Sequence, residues 1–589
     1  MAVAVGLFMW KGLPALKGEN NTVDRQPLGG IVDDLAPPAP RPDEAICRID
    51  GGRFVAELTT RGAALRRLTL TDAKYTTAAG KPIDLVPDNL RDEFLPLRTD
   101  LRPATIHDDK LTPSDNLVAA GDATQQVSFD DLDFKLGAHD AKSCTFTYAD
   151  ASTSITKTIA ATGSPFELAL TLTIENLADQ PKKHRLAIEE GDWRTSNDME
   201  GHLGRQSEWL TESVAATVTK TERHGASDFE ASDFKKKEFD DEKWRQTPGD
   251  AKFAAVSSAF FARVVAPVES AKPPRAETRA EEVWDTARFG TDKKKDPNHG
   301  FVFRARLTYP PVELAPKQTV TYKAVSFTGP KERDVLAAVG NDISGVLNLG
   351  TFSFIGKWLV WYLYKLKALT HSWGFAIMLL TITVRFAVFP LSVAQIKSTA
   401  QMRKLKPELD ELNKRYKDDM TQRGLATQEL YRKHGMNQFG QMAGCLPMIL
   451  TLPVWWALYT ALQTAVELYH TPFLWFVDLS APDKFYIIPV VLGATSFLQQ
   501  KLMPPQTDPS QQKMMMYMMP GIFTVMMLFL PSGLGLYMFT SSLVSIAQQF
   551  VVERYMRSRQ AAGIVVTERL SGDDKASPSL GKGKARVRG

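Results

Sequence analysis

The residue most in need of a chemical partner in this sequence is Arg385, a charged residue inside the apolar stretch 373–391. A charge in the hydrocarbon of a bilayer costs at least ~2.5–3.5 kcal/mol on insertion scales, so such residues are usually functional. The apolar stretches that follow contain no acidic residue except Glu467, at the edge of one of them. We therefore expect Arg385 to have no internal ion-pair partner and to require water or a visiting substrate.

Hydroxyl and amide side chains accompany this arginine in the apolar stretches. Thr381 lies one turn before Arg385 on the same helical face, while Ser541 and Gln548 fall on one stripe of a later stretch. A hydroxyl bonded to a helix backbone, worth about 0.6 kcal/mol, is the simpler explanation for each residue alone. Together with Arg385 they indicate a hydrated groove, against the alternative of an arginine that snorkels to the interface. The arginine lies about 7 Å before Pro390, so the groove should open toward the basic loop that follows.

Enzymatic motifs are missing from the sequence. The segment 345–350 has the glycine spacing of a phosphate loop, but Thr351 stands where the lysine should be. There is no HExxH, and no GxSxG lies between a predicted strand and helix. We expect no enzyme, no catalytic residue, no cofactor and no metal site.

The cysteines support the same conclusion about metals. Cys47, Cys144 and Cys445 form no CxxC pair and no zinc-type cluster. Cys47 and Cys144 can pair if their domain is exported, but the sequence favours two free thiols. Cys445 lies in an apolar stretch and is interpreted as packing.

The composition divides the chain into a polar half and an apolar half. At 589 residues it is too long for one domain, and its net charge of +4 is too small to indicate nucleic-acid binding. The fold class predicted is a polytopic α-helical membrane protein with a large all-β domain. We predict the following parts: a truncated membrane anchor at 1–18, a Pro-rich linker at 19–45, a β-sandwich domain at 46–345, an interfacial amphipathic helix at 350–370, a five-span core at 371–552 that includes a basic helical hairpin at 392–440, and a basic disordered tail at 553–589.

Alternation of apolar and polar residues supports the β domain. The segments 166–176 and 301–309 both have period two, which is typical of strands with one buried face. In the second segment Arg304, Arg306 and Thr308 are expected on the face that meets water.

The predicted spans are 373–391, 443–466, 485–503, 514–530 and 534–552. Segment 352–369 mixes Trp and Tyr with lysines, which favours a helix lying in the membrane interface. The hairpin should be helical over about 395–434, with a break near 421–427. Because basic loops stay inside, the hairpin and the tail are expected in the cytoplasm and the β domain outside.

Several long motifs carry a family resemblance. VRFAVFPL, GCLPMILTLPVWWALY, FLWFVDLSAPD, TDPSQQKMMMYMMP and FLPSGLGLYMFTSSLVSIAQQ occur in that order. Over 370–552 the chain closely resembles the YidC/Oxa-type membrane protein insertases. The polar half resembles the periplasmic region of the Gram-negative YidC subgroup.

The resemblance implies an insertase and chaperone of the bacterial inner membrane, with an inward-open hydrophilic groove and a periplasmic β-supersandwich. The implied partners are nascent membrane proteins, the Sec translocon, the lipid bilayer and the ribosome, which the hairpin and the tail would contact without reading a nucleic-acid sequence. Met538 departs from the family, since a tyrosine is common at its position. Motif position and polarity together predict these groove residues: Arg385, Thr381, Thr451, Leu452, Pro453, Trp455, Ser496, Tyr537, Met538 and Ser541.

Two other functions fit parts of the pattern. A transporter or channel could bind an anion at Arg385, although the internal repeat typical of transporters is missing. A membrane-anchored periplasmic binding protein would explain the β domain. That function leaves five spans and an intramembrane arginine unexplained.

Overall fold

The structure is a computed structural model that describes residues 42–77, 80–87, 90, 92–103, 132–201, 207–229, 244–268, 272–350, 352–390, 392–393, 396, 405–416, 419–434, 446–502 and 514–561. Within these residues, strands dominate the first half of the chain and helices the second. The anchor expected at 1–18 and almost all of the linker at 19–45 lie outside the described residues, as does the tail from residue 562 onward.

The described residues contain eighteen strands, which form three antiparallel sheets. β1, β2 and β3 form a small sheet. The largest sheet has the order β11-β10-β13-β14-β18-β8-β7-β6-β5, and the third has the order β12-β15-β16-β9-β17, with β4 also paired to β9. The bounds are β1 Ile46–Asp50, β2 Phe54–Thr59, β3 Ala64–Leu70, β4 Arg98–Pro103, β5 Lys135–His139, β6 Ser143–Ala149, β7 Thr153–Ala161, β8 Glu167–Asn176, β9 Lys182–Thr195, β10 Glu212–Thr217, β11 Thr221–His224, β12 Arg245–Thr247, β13 Ala251–Ser257, β14 Phe261–Pro267, β15 Arg275–Val283, β16 Gly300–Thr308, β17 Val312–Leu314 and β18 Thr319–Pro330.

The two larger sheets pack face to face, with β13 against β16 and β10 against β15. β8 illustrates how the sequence directs this packing. Leu168, Leu170, Leu172 and Ile174 are all buried, while the residues between them are only partly buried. Since successive side chains of a strand point to opposite faces, this alternation places one apolar row against the core. The all-β domain predicted from the alternation is confirmed.

The expectation of a wet face on β16 is wrong. Arg306 and Thr308 are each 1% exposed. The Nε of Arg306 donates to Glu277 at 2.6 Å, and its guanidinium lies 3.9 Å from the ring centroid of Trp244. Arg304, also expected to meet water, donates to the buried Glu189 at 2.5 Å. Alternation predicts that a strand has an apolar and a polar face. It cannot tell whether the polar face meets water or packs against other parts of the protein that supply opposite charges.

The expectation of two free thiols is also wrong. Cys47 in β1 and Cys144 in β6 form a disulfide, with their Cα atoms 6.2 Å apart. The bond ties the small sheet to the largest sheet, although the two residues are 97 positions apart in the sequence. Pairing at that separation depends on the tertiary fold, which spacing rules do not report.

A buried histidine makes the β domain sensitive to acid. His184 in β9 lies 3.1 Å from the hydroxyl of Tyr322 through its Nε2, and burial lowers its pKa from 6.5 to about 4. Between these two values the unfolded chain binds a proton that the folded chain excludes. Stability therefore falls as the pH drops from 6.5 to 4, by about 3 kcal/mol for a shift of about 2.5 units.

When the pH falls from 7 to 4, the parent chain should lose about 3 kcal/mol of stability through His184. His184→Gln should not show this loss. Thermal or denaturant unfolding of the full chain at both pH values measures this difference. His139→Gln, at an exposed position on β5, should retain the parent's pH dependence. Identical pH profiles for His184→Gln and the parent would contradict the prediction.

Eleven α-helices lie in the described residues. The two short ones interrupt the strands and the others follow them. One of them, Ser353–Thr370, covers most of the segment 350–370, and its place in the membrane interface stays a prediction. The bounds are α1 Ser196–Met199, α2 Thr286–Phe289, α3 Arg333–Val339, α4 Ser353–Thr370, α5 Trp373–Ala387, α6 Lys406–Arg415, α7 Met420–Lys433, α8 Leu446–Gln463, α9 Ile487–Leu502, α10 Met519–Met527, preceded by a π-helical turn at Met514–Met518, and α11 Ser532–Ala561.

The helical half has its own apolar core. α5 contacts α4 and α11, α9 contacts α10 and α11, and α8 contacts α4. Leu359 of α4, Ile377 of α5 and Leu458 of α8 are nearly inaccessible in this core. Within the described residues α11 alone is both long and apolar enough to cross a bilayer, over Ser532–Ser558, while α5 and 516–527 are shorter apolar helices.

Two boundaries differ from the sequence prediction. In the hairpin α6 ends at Arg415 and α7 begins at Met420, so the predicted break at 421–427 lies inside α7. Asp419 starts α7 by accepting the backbone N–H of Gln422 at 2.9 Å, a capping signal that outweighs the residues after it. The predicted disordered tail is helical over 553–561, because α11 continues to Ala561.

Candidate substrate groove

Arg385 lies in the last turn of α5 and faces α11. The apolar residues Ile377 and Leu380 of α5 are fully buried and fix this helix in the core. A cation in the last turn of a helix is favoured by the negative end of the helix dipole. The dipole of α5 therefore stabilises a positive charge that the surrounding apolar residues disfavour.

Arg385 is held by neutral groups. Its Nε donates to the hydroxyl of Ser541 at 2.8 Å, and its Nη2 donates to the same oxygen. The side chain of Gln548 donates to the backbone carbonyl of Arg385 at 3.2 Å. No salt bridge to Arg385 is found among the residues that the structure describes.

The contact with Ser541 leaves most of the guanidinium available. A guanidinium carries five N–H donors, and one hydroxyl oxygen can satisfy only part of them. Ser541 is bonded by Nε and Nη2 but not by Nη1, and the side chain of Arg385 is only partly buried. A half-buried arginine with accessible donors binds water, a carboxylate or a peptide carbonyl.

The other predicted residues of α5 and α11 surround this contact. Tyr537 is buried one turn before Ser541 and lies close enough to Arg385 to interact with it electrostatically. Met538 packs against the helical core. Thr381 is fully buried, and its hydroxyl donates to the carbonyl of Ile377 at 2.7 Å. The hydroxyl of Thr381 is therefore used within its own helix.

The remaining predicted groove residues lie on α8 and α9. Pro453 lies inside α8, and Trp455, also of α8, stacks on Tyr459 with ring centroids 5.6 Å apart. Ser496 is half-buried on α9. The side chains of Thr451 and Leu452 lie outside the described part of the chain, although both residues belong to α8.

Two amides extend the polar contacts beyond the residues that were predicted. Gln548 meets the backbone of Arg385, and Gln499 of α9 donates to the carbonyl of Ser542 at 3.4 Å. The spacing of Ser541 and Gln548 was the signal for the first. Gln499 was marked only as a polar residue inside an apolar stretch, and its contact could not be predicted because its partner is a backbone atom of another helix. Thus α5, α9 and α11 share one polar seam.

The chemistry available in this seam is binding. No nucleophile–base pair is seen at Arg385 in the described region, and no group of three or more His, Cys, Asp or Glu is positioned there to hold a metal ion. The polar atoms are hydroxyls, amides and one guanidinium, which donate to or accept from passing polar groups.

Comparison with known proteins identifies the family. The sequence matches the family described as 60Kd inner membrane protein over residues 365–559, and the YidC periplasmic domain over residues 47–362. The membrane protein insertase YidC of Anaeromyxobacter dehalogenans strain 2CP-C is 34% identical over 526 residues, which cover 88% of this chain and 86% of that protein. The chain belongs to the YidC family of membrane protein insertases.

Another YidC relative aligns with less of the chain. The YidC insertase of Geobacter sulfurreducens is 40% identical over 258 residues, or 43% of this chain and 48% of that protein. A crystal structure of an active YidC insertase covers 86% of this chain at 17% identity, with a TM-score of 0.32. A galactose mutarotase-like protein from Lactobacillus casei covers 48% of this chain at 11% identity, with a TM-score of 0.31. At these TM-scores neither structural likeness supports an inference.

Proposed function

We propose that this YidC-family chain inserts membrane proteins and helps them fold through a hydrophilic groove centred on Arg385 and open to the cytoplasm. The observation that carries the proposal is a partly buried arginine in an apolar helix bundle, bonded to Ser541 and with N–H donors that Ser541 does not use. Such donors retain water. A short polar segment of a client can enter that water and avoid part of the cost of placing unbonded polar groups in hydrocarbon.

The client's apolar helix would then slide along the outside of the groove into lipid. Transfer of apolar surface into the bilayer supplies the driving force, and the membrane potential acts on charges of the client. No bound nucleotide is needed for this step. Pro453 and Trp455 of α8, with Tyr537 and Met538 of α11, are proposed to line the path.

The proposed orientation places five spans in the inner membrane, the β domain in the periplasm and the hairpin α6–α7 in the cytoplasm. The positive-inside rule supports it, and so does the disulfide between Cys47 and Cys144, because such bonds persist in oxidising compartments. α4 is proposed to lie in the outer interface, with Leu359 buried and with Trp358 and Trp361 exposed to headgroups.

Cysteine labelling tests this orientation. In intact spheroplasts, an impermeant thiol reagent should label a cysteine placed at the exposed position Val218 in the β domain. A cysteine at the exposed position Leu425 in α7 should be labelled only after lysis. Labelling of position 425 from outside would overturn the orientation and the inward-open groove.

The ribosome and the Sec translocon are proposed partners. The hairpin and the tail are rich in Lys and Arg, which bind RNA phosphates and release counterions. Deleting 554–589 should weaken pelleting with ribosomes, and the remaining association should fall with salt. Deleting 571–580, which removes two aspartates and one lysine, is the matched control. Unchanged pelleting after the larger deletion would exclude a ribosome-binding tail.

Reconstitution tests the function itself. Liposomes that contain only this protein should insert a single-span client with a short polar translocated segment, without ATP and without the translocon. Protection of that segment from protease measures insertion. Equal protection in empty liposomes would overturn the proposal.

A further inference from the structure

The contact between the β domain and the helical core centres on one buried acid, Glu467. It lies in a 3-10 turn at Val466–Leu468, directly after α8, and all three residues of the turn are buried. Its side chain is 11% exposed. Nothing in the groove described above uses this carboxylate, although it was the one acidic residue at the edge of an apolar stretch.

Three separate parts of the chain converge on Glu467. From the β domain, the backbone N–H of Arg333 donates to its Oε1 at 3.3 Å, and the Nε of Arg333 lies 3.9 Å from the same atom. From the interfacial helix α4, the hydroxyl of Tyr364 donates to Oε1. The Nζ of Lys74, from the loop after β3, donates to the backbone carbonyl of Glu467 at 3.0 Å.

The neighbouring residues strengthen this junction. Val466 and Tyr469 are buried within the apolar core of the β domain rather than within the helical core. The ring of Tyr469 packs on Phe260 with centroids 5.3 Å apart, and its hydroxyl donates to the carbonyl of Thr76 at 3.2 Å. The segment after α8 therefore belongs physically to both halves of the protein.

The same segment also closes the outer end of the helical core. The hydroxyl of Thr471 donates to the carbonyl of Glu467 at 2.8 Å, and the backbone N–H of Leu479 donates to the carbonyl of Thr471 at 3.1 Å. Leu479 in turn accepts from the backbone N–H of Gly533 at 2.8 Å. Gly533 is in the first turn of α11, the helix that carries Ser541. A continuous set of hydrogen bonds thus joins the junction to α11, whose Ser541 accepts from Arg385.

We propose that Glu467 is a positioning residue that clamps the periplasmic domain and α4 to the outer end of the helical core, and so holds the groove helices closed on the outside during insertion. This inference rests on the proposed groove. A buried carboxylate with partners on the β domain and on α4 stabilises their relative position, because separation would break its hydrogen bonds to Arg333 and Tyr364 together. The β domain then acts as a fixed support and not as a tethered module.

Spin-label distances test the clamp directly. Labels are attached at Val218→Cys in the β domain and Val477→Cys in the outer loop, both at exposed positions, in full-length protein with Cys445→Ala and the native disulfide intact. Lipid nanodiscs hold the protein. The parent and Glu313→Ala, a control at an exposed carboxylate of β17, should give one narrow distance distribution. Glu467→Ala should give a broad one.

Insertion in liposomes should fall about fivefold or more for Glu467→Ala, within the range of coupling between sites. Glu467→Gln, which keeps the acceptor but loses the charge, should fall less. A short thiol crosslinker between Thr76→Cys and His470→Cys, whose parent side chains are 3.5 Å apart, should restore both the narrow distances and the insertion rate of Glu467→Ala. A residue needed only for folding would not be rescued in this way.

The outcomes separate the clamp from the groove. Unchanged distances in Glu467→Ala overturn the clamp, and broad distances with normal insertion overturn its role in positioning. If the crosslink restores the narrow distances in Glu467→Ala but not the insertion rate, the positioning role is also overturned. If the parent chain itself fails to insert clients, the proposed function fails, while the distance measurements still decide whether Glu467 fixes the two halves.

Discussion

Arg385→Ala is expected to slow the insertion of clients with acidic or strongly polar translocated segments by about tenfold or more. Loss of the guanidinium removes the donors that hold water beside Ser541. Leaving even one polar group of a client without a partner in an apolar setting costs about 1–3 kcal/mol, and 1.4 kcal/mol is a tenfold effect. Clients with short, nearly apolar translocated segments should be affected much less, because they need less hydration.

The matched variants make this result specific. Arg385→Lys should retain much of the activity, since it keeps the charge and can still donate to Ser541. Arg557→Ala removes an exposed arginine from the far end of α11 and should insert both client classes normally. Protein levels must be equal, because an intramembrane arginine can also support packing. If Arg385→Ala inserts both client classes at the native rate, the groove hypothesis fails and the alternative of an arginine that snorkels to the interface stands.

The disulfide is expected to have the largest effect on stability. It closes a loop of 97 residues, for which loop entropy predicts about 4–5 kcal/mol, and native disulfides typically contribute about 2–5 kcal/mol. The double variant Cys47→Ser and Cys144→Ser should therefore unfold roughly 10 °C below the parent. The small sheet β1–β3 should become sensitive to protease first, because the bond ties it to β6.

Reductant should lower the unfolding temperature of the parent and leave the double variant unchanged. Cys445→Ala, which keeps the disulfide, is the control for effects of thiol replacement and should match the parent. Equal unfolding temperatures for the parent and the double variant would show that the bond does not stabilise the fold.

Local patterns in the sequence were enough for the main elements. Alternation in β8, the aromatic and lysine-rich stretch of α4, and the apolar stretch around Arg385 each predicted an element that the structure contains. These features depend on residues close together in the sequence. For the same reason, spacing along one helix predicted that Ser541 and Gln548 would face the same side.

The errors about pairing and burial share a physical cause, which is contact between distant residues. Cys144 pairs with a residue 97 positions away, and Arg306 is buried because Glu277 and Trp244 reach it from other strands and loops. The role of Glu467 could not be seen, since Arg333 and Tyr364 are more than 100 residues earlier in the chain. Such contacts are properties of the assembled fold.

Site-specific photocrosslinking tests the central claim most directly. A photoreactive residue is placed at Ser496 or Met538 in the proposed groove, or at Phe550, which is exposed on α11 outside it. A ribosome-bound nascent chain with a single span is then presented to native membranes. The groove hypothesis predicts that the client's polar segment crosslinks to positions 496 and 538 early in insertion, and more strongly than to position 550. Crosslinks at position 550 alone, or equal yields at all three positions at every chain length, would contradict it.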